Sequence, residues 1–283
     1  MRSDFEIDRP QDTVSGFPVE LARSWWLVSG AGIAGADLGE GGPDAVVVDL
    51  EDGVAPAHKD TARVAAAKAL GDRALWVRIN DIRSPYWQDD VRAIGHLPTL
   101  AGIMVAKTES PADIDDVARV LPETVPLVAF IESAAALESA RTIADHPRVN
   151  RLAFGSGDFR MDVGAGPGAD ALAYARSRLV VVSRAADLPG PIDGPTVVDD
   201  AAVVEQQTAY ALSLGMRGRL CLYRPHAEPI NRTFSPTAGD LEQARAVIAQ
   251  LGPDGSGATK GSDLPRLLHA HRVLDLAKQY RMR

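Results

Sequence analysis

The chain is expected to fold as a (β/α)8 barrel, an α/β architecture, and three observations carry that expectation. Short runs rich in Val, Ile and Leu recur about every 25 residues along the chain. These runs are continuously apolar rather than alternating, which marks strands buried on both faces of a parallel sheet. Between them lie Ala-rich stretches of helical composition, and strand–helix repeated about eight times is the pattern of a closed barrel. A doubly wound open sheet is the second choice.

Taken in order, the strand candidates are residues 25–28, 45–50, 75–79, 102–106, 126–131, 151–154, 191–198 and 219–222. Segment 191–198 is the weakest, because its apolar run is interrupted. The helical stretches between them include 58–70, 111–121, 134–146, 168–186 and 200–214. The end of the chain breaks the rhythm. A helix is expected over 238–251, after Ser235-Pro236, followed by a loop over 252–261 with four Gly, one Pro and one Ser. A last helix over 264–280 closes the chain. The expected organisation is an N-terminal tail (1–21), the barrel (22–235) and a C-terminal helical extension (236–283). That extension serves as a lid, as an oligomer contact, or simply packs on its own barrel.

Composition narrows the function classes. Apolar residues make up 46% of the 283 residues and charged residues 24%, so the chain has ample material for one large core. Its net charge of -8 argues against a general nucleic-acid or anionic-membrane binder, both of which need a basic surface. No apolar run approaches the ~18 residues of a membrane span. Residues 1–10 hold five charges and no apolar centre, which does not fit a secretory signal. The single cysteine, Cys221, allows no intramolecular disulfide and favours the cytoplasm. An acidic intracellular enzyme is the expectation.

In such barrels chemistry sits at the carboxyl ends of the strands. Polar residues follow the apolar runs there: Asp49, Glu51 and Asp52 after the second; Arg78 and Asn80 at the third; Lys107 and Glu109 after the fourth; Glu132 after the fifth; Asp158 after the sixth. Charge buried in a sheet is costly unless it is paired or bound to metal, so the repetition points to a site. Glu132 and Asp158 supply hard carboxylate oxygens that suit Mg2+. No Cys/His cluster suggests structural zinc. Arg78 and Lys107 suit a substrate carboxylate or a developing enolate. The alternatives are a first-turn acid for Glu132 and a loop residue for Asp158.

A second motif competes. Gly30-Ala31-Gly32-Ile33-Ala34-Gly35 follows the first run in the G-x-G-x-x-G spacing of dinucleotide sites. Only about eight residues separate Gly35 from the next run, and they include Gly39, Gly41, Gly42 and Pro43. That is too short and too rich in helix breakers for a crossover helix. A glycine-rich loop at the barrel mouth is preferred.

The same strand-end segments resemble a known family. Ser24-Trp25-Trp26-Leu27-Val28, Asp49-Leu50-Glu51-Asp52-Gly53-Val54, Val77-Arg78-Ile79-Asn80 and Lys107-Thr108-Glu109-Ser110-Pro111 match, in order, motifs of the citrate lyase beta subunit-like family. So do Phe130-Ile131-Glu132-Ser133, Phe154-Gly155-Ser156-Gly157-Asp158-Phe159, Tyr174-Ala175-Arg176-Ser177-Arg178 and Pro191-Ile192-Asp193-Gly194. The resemblance spans about residues 22 to 280. It implies a TIM barrel and Mg2+-dependent cleavage or formation of a carbon–carbon bond next to a thioester, with Mn2+ as an alternative ion. Glu132 and Asp158 are then the metal ligands. Arg78 holds substrate oxygens and stabilises the enolate, and Glu51 and Asp52 orient Arg78 and metal-bound water. Arg78, Lys107, Gly157 and Asp158 form the substrate-binding set. Asp263, in Asp263-Leu264-Pro265, stands where malyl-CoA lyase-like members carry an acid/base aspartate on a lid over a neighbouring subunit. An aspartate shortly before a proline is equally a helix start. The family also implies a small-molecule acyl-CoA or hydroxy/keto acid partner and a trimer or hexamer.

Three departures bear on the far end of the substrate. The family's Pro-Gly, Arg and full helix after strand one are replaced by Ser29-Gly30 and the glycine loop. Its Leu-Pro-Lys is Val105-Ala106-Lys107, and its Leu-Cys-Ile-His-Pro is Leu220-Cys221-Leu222-Tyr223-Arg224-Pro225-His226. The expected function is a Mg2+-dependent C–C lyase or aldolase. The alternatives are a malyl-CoA thioesterase or malate synthase-type activity using Asp263, and a non-catalytic acyl- or CoA-binding accessory subunit.

Overall fold

A computed structural model describes residues 17–39 and 42–280. The reading of residues 1–10, most of the 1–21 tail, Gly41 of the glycine loop and residues 281–283 lie outside the described residues.

Eight parallel strands close into a barrel in chain order. They are β1 (Ser24–Ser29), β2 (Ala45–Asp49), β3 (Leu75–Ile79), β4 (Leu100–Val105), β5 (Leu127–Ile131), β6 (Val149–Phe154), β7 (Ile192–Asp193) and β8 (Gly218–Cys221). Parallel pairing of β1 with β8 completes the ring. Helices cover the outside: α1 (Lys59–Leu70), α2 (Trp87–Ile94), α3 (Pro111–Ala118), α4 (Ala134–Ala144), α5 (Ser156–Asp162), α6 (Ala173–Ala185), α7 (Ala201–Ser213) and α8 (Ala227–Phe234). Two more, α9 (Ala238–Leu251) and α10 (Asp263–Gln279), form the C-terminal hairpin.

The barrel replaces the open-sheet alternative, and it differs from the sequence expectation in instructive places. β7 is two residues long rather than eight, since Pro191 precedes it and Gly194-Pro195 follow it, and proline cannot donate to a ladder. Helices α2, α5 and α8 were not expected, being only seven or eight residues each. The glycine motif forms no helix beyond one 3-10 turn, Ile33–Gly35. Its first glycine is there for packing, because a Cβ on Gly30 would lie 2.8 Å from the Leu50 side chain and 3.1 Å from Ala62. The Gly30 N–H donates to the Asp49 carbonyl (2.8 Å).

Two cores follow from the strand pleat. One face of each strand packs inside the barrel, where Trp25, Val47, Trp76, Met104, Val128, Phe130, Ala153, Ile192 and Leu220 meet. Trp25 and Trp76 cross edge to face at 5.0 Å. Below them Arg151 is fully buried and donates to the carbonyls of Val19, Ala22 and Gly190, all at 2.8 Å. Residues 19–22 therefore cap the bottom of the barrel. The opposite strand faces pack under the helices in a larger apolar shell. Each fully buried aliphatic or Phe side chain there contributes about 1.5–3 kcal/mol.

The hairpin of α9 and α10 encloses its own small core of Ala244, Val247, Leu251, Leu267 and Ala270. Beyond α10, Tyr280 stacks over the Arg23 guanidinium (4.2 Å), which also faces Phe17 (5.5 Å), tying the chain's end to the bottom of the barrel. Cys221 is buried in the outer shell, and burial pushes its thiol up to about 12. It should resist thiol reagents at pH 8 until the protein is unfolded in urea, because thiolate is the reactive species. Labelling of the folded chain within minutes would show that β8 opens readily.

Candidate active site

The site is built at the carboxyl ends of β2 to β6. Pleat parity turns Val47 and Asp49 of β2 and Trp76 and Arg78 of β3 into the barrel, and strand register sets Asp49 opposite Arg78. The Asp49 carboxylate accepts two hydrogen bonds from Arg78, at Nε (2.8 Å) and Nη2 (2.7 Å). It also accepts the backbone N–H groups of Glu51 and Gly53, both at 2.9 Å, which folds the following loop back over the strand end. Arg78 lies 3.4 Å from Glu51 and 5.4 Å above the Phe130 ring. Burial opposes its charge, yet Asp49, Glu51 and Glu132 more than compensate, and Arg78 is held above the usual arginine range.

This corrects one expectation. The group that orients Arg78 is chiefly Asp49, with Glu51 second. Asp52 pairs instead with Lys107, at 3.2 Å. A buried support was also missed. Lys59 of α1 donates to the carbonyls of Leu50 (2.6 Å) and Glu51 (2.7 Å) and to Asn80 Oδ1 (2.5 Å). Asn80 in turn donates to Asp90 of α2 through its backbone (3.0 Å) and its amide (2.7 Å). Burial lowers the Lys59 pKa against the pull of Glu51, Asp49 and Asp90. The sequence held one sign of this bracket, the polar Asn80 ending a buried strand.

Lys107 and Glu132 face this pair. Lys107 has a left-handed backbone, with φ at +50°, which is rare for a residue with a long side chain. Its N–H donates to Glu132 Oε1 (2.7 Å) and its Nζ to Glu51 Oε1 (2.6 Å). Lys107 is thus a partner of two site carboxylates as well as a cation at the rim, and it is held above the usual lysine range despite partial burial. Burial raises the Glu51 pKa even with Arg78 and Lys107 beside it.

Glu132, after β5, is 4% exposed. Burial pushes its carboxyl up to about 8, with Arg78 and the Lys107 N–H opposing and the charges of Asp158 and Glu51 adding. Gly155 makes room for it, since a Cβ there would sit 2.3 Å from Glu132 Cβ and 2.6 Å from Oε2. Asp158 lies in the first turn of α5 beside Gly157, where a Cβ would meet nothing within 4 Å. Among the described residues the Asp158 carboxylate has no hydrogen-bond or ion-pair partner.

Asp52, Lys107, Glu132 and Asp158 line one cleft of about 460 Å3, together with Arg83 and Met161. A larger cavity of about 630 Å3 lies elsewhere, but its one carboxylate, Asp44, is already paired with Arg23 (2.7 Å). Asp263 is not in the cleft of its own chain. Its carboxylate accepts the N–H groups of Thr259 and Lys260 (both 2.9 Å), which lower its pKa and fix the turn before α10.

The donor set fits a hard divalent cation. One buried carboxylate keeps an oxygen free of hydrogen bonds among the described residues, another without such a partner stands nearby, and burial opposes the charge of the first, which a bound cation would favour. No group of three or more Asp, Glu, His or Cys side chains among the described residues is placed to hold a metal. Two protein ligands leave room for water and substrate oxygens, as Mg2+ prefers.

Comparison with known proteins is consistent with this geometry. The family model described as HpcH/HpaI aldolase/citrate lyase matches residues 26–223, and that of the HpcH/HpaI aldolase C-terminal domain matches residues 239–281. The chain is 33% identical to a citrate lyase subunit beta-like protein of Deinococcus radiodurans, over 75% of this chain and 79% of that protein. It is 29% identical to the mitochondrial citramalyl-CoA lyase of Homo sapiens, over 83% and 78% of the two chains. Its fold superimposes with a TM-score of 0.78 on the protein CitE from Mycobacterium tuberculosis, solved with magnesium, acetoacetate and coenzyme A, at 22% identity over 92% of this chain and all of that one.

Proposed function

The chain belongs to the HpcH/HpaI aldolase/citrate lyase family, and from that footing we propose that it is a Mg2+-dependent carbon–carbon lyase. Its substrate is a 3-hydroxyacyl thioester or a related hydroxy acid, cleaved or formed through an enolate. The observation that carries the reading is the pairing, in one cleft, of Glu132 and the unpartnered Asp158 beside the Asp49-locked Arg78.

Glu132 and Asp158 would hold the cation, which when bound supplies Lewis-acid polarisation of substrate oxygens. Arg78 presents a fixed positive charge to the enolate that develops as the C–C bond breaks, and it needs no reorganisation to do so. Glu51 keeps Lys107 directed at the rim, where Lys107 neutralises a substrate carboxylate. Asp52 steadies the same Lys107, and Gly157 leaves open space for substrate beside Asp158. Asp263 could act only on a neighbouring subunit, so a role for it requires a homo-oligomer, for which we propose a trimer or hexamer. We place the enzyme in the cytoplasm. No helix among the described residues is long and apolar enough to cross a membrane.

Asp158→Ala tests the reading. It should lower EDTA-sensitive turnover roughly a thousandfold or more, since a lost metal ligand removes several kcal/mol of transition-state stabilisation. Its unfolding midpoint should be unchanged, because no protein partner is lost. Wild-type turnover in the variant would remove the metal assignment. The substrate panel is malyl-CoA, citramalyl-CoA, citryl-CoA and the free 2-keto-4-hydroxy acids, followed by mass spectrometry with and without EDTA. Thioester cleavage is the expected result, and cleavage of free acids alone would mean that the altered strand-eight loop has abandoned CoA. Inertness toward the whole panel in a protein that still binds Mg2+ would favour the accessory-subunit alternative.

A further inference from the structure

Arg83 stands on the loop between β3 and α2, and its guanidinium bonds both its own loop and the loop between β4 and α3. It donates to Asp81 Oδ1 on its own loop (2.8 Å). It donates twice to the carbonyl oxygen of Lys107, from Nη1 (3.0 Å) and Nη2 (3.2 Å). Its Nη2 also donates to Glu109 Oε2 (2.8 Å). The other oxygen of Glu109 accepts the Ser133 hydroxyl (2.7 Å), on the residue after Glu132. Ser133 caps α4 by accepting the Ala136 N–H (3.1 Å).

Lys107 is the strained point of this arrangement. A left-handed non-glycine residue persists only where its surroundings over-determine it. Both of its backbone polar groups are gripped: the N–H by Glu132 and the carbonyl by Arg83. The conformation is what lets the N–H face one carboxylate while the side chain reaches another. If the carbonyl were released, the residue could relax toward the right-handed region and its N–H would swing away from Glu132.

We propose that Arg83 is a positioning residue that sets Glu132 from two sides. One route runs through the Lys107 peptide, the other through Glu109 and Ser133. Arg83 needs no contact with the cation or with substrate for this role. The inference rests on the reading of Glu132 as a metal ligand only for its consequence in binding; the clamp itself is a property of the metal-free chain.

The test uses the full-length protein with Arg83→Gln and Arg83→Lys. In metal-free protein, amide hydrogen exchange across 105–110 is compared with wild type. Arg83→Gln should speed exchange of the Lys107 amide at least about tenfold, and Arg83→Lys, which keeps the charge but only a single donor atom, should restore part of the protection. Mn2+ titration followed by electron paramagnetic resonance should show about a tenfold weaker Kd for Arg83→Gln, the size expected for a group that orients a metal ligand. In a Lys107→Gly background, where the left-handed backbone is unstrained, Arg83→Gln should cost much less. Unchanged exchange and Kd in Arg83→Gln, or an equal loss in the glycine background, would overturn the proposal. A wild-type protein that binds no Mn2+ would strike the metal reading of Glu132, while the exchange data would still decide the clamp.

Discussion

Replacing Arg78 with alanine is expected to cut turnover sharply and to destabilise the fold by about 3–5 kcal/mol, the range for breaking a buried ion pair by removing one partner. The reason is the neighbourhood left behind. Asp49 is 2% exposed, Glu51 and Glu132 are each 4% exposed, and this one guanidinium is the buried positive charge that all three act on. Without it, Asp49 retains only its two backbone N–H donors. Turnover should fall by roughly 10²–10³ or more, as for other preorganised donors aimed at a developing anion. Arg78→Lys separates the two effects. A lysine keeps the charge but cannot bond Asp49 bidentately, so it should recover stability better than rate. The checks are urea unfolding and kcat on whichever panel substrate is cleaved. An alanine variant with an unchanged midpoint would mean that desolvating the Asp49–Arg78 pair costs as much as its attraction returns. A variant with unchanged kcat would remove Arg78 from the enolate.

The strands were legible in the sequence because a parallel barrel buries both strand faces, so that each strand is a continuous apolar run and needs no phase. The rim was legible for the same reason: after an uninterrupted apolar run, the first charge lies at a strand end. What could not be read was which of several consecutive acids turns inward. Asp49, Glu51 and Asp52 are equivalent in composition, and only the register that sets Asp49 beside Arg78 separates them. Lys59 and Arg83 escaped for another reason. They act through long side chains from a helix and a loop, onto carbonyl oxygens 8 to 24 residues away, and carbonyl acceptors leave no trace in residue types. Segment 191–198 misled because Ile192, Val197 and Val198 give it apolar content, although Pro195 cannot join a ladder. The motifs around Arg176 and Asp193 marked real structure, but away from the cleft.

Asp193→Ala should be among the most destabilising single changes in the chain while sparing the chemistry of the molecules that remain folded. β7 is two residues long and meets β6 at a single register pair, so it has little ladder with which to close the barrel. Side chains supply the rest. Ile192 fills the interior and Asp193 faces the helices, where it accepts from Arg176 Nε of α6 (2.8 Å) and Arg219 Nη1 of β8 (2.6 Å). Arg219 also donates to Thr196 (3.0 Å) and Gln207 of α7 (2.9 Å), so one buried carboxylate joins two strands and two helices. Burial already pulls Arg219 below the usual arginine value, and Asp193 is the main charge opposing that pull. Alanine would leave two buried guanidinium groups facing each other without an anion. The expected loss is about 3–5 kcal/mol, a large part of the ~5–15 kcal/mol that holds a typical domain together. At a few kcal/mol per molar of urea, the unfolding midpoint should fall by about a molar or more. Asp193→Asn should lie between, since it keeps an acceptor but turns an amide N–H toward an arginine. In the cold, the folded alanine variant should bind Mn2+ as wild type does, because no group of the cleft is touched. A midpoint within error of wild type would show that the barrel closes without this ion pair, and a lost Mn2+ site in folded protein would show that closure at β7 is transmitted to the strand ends carrying Glu132 and Asp158.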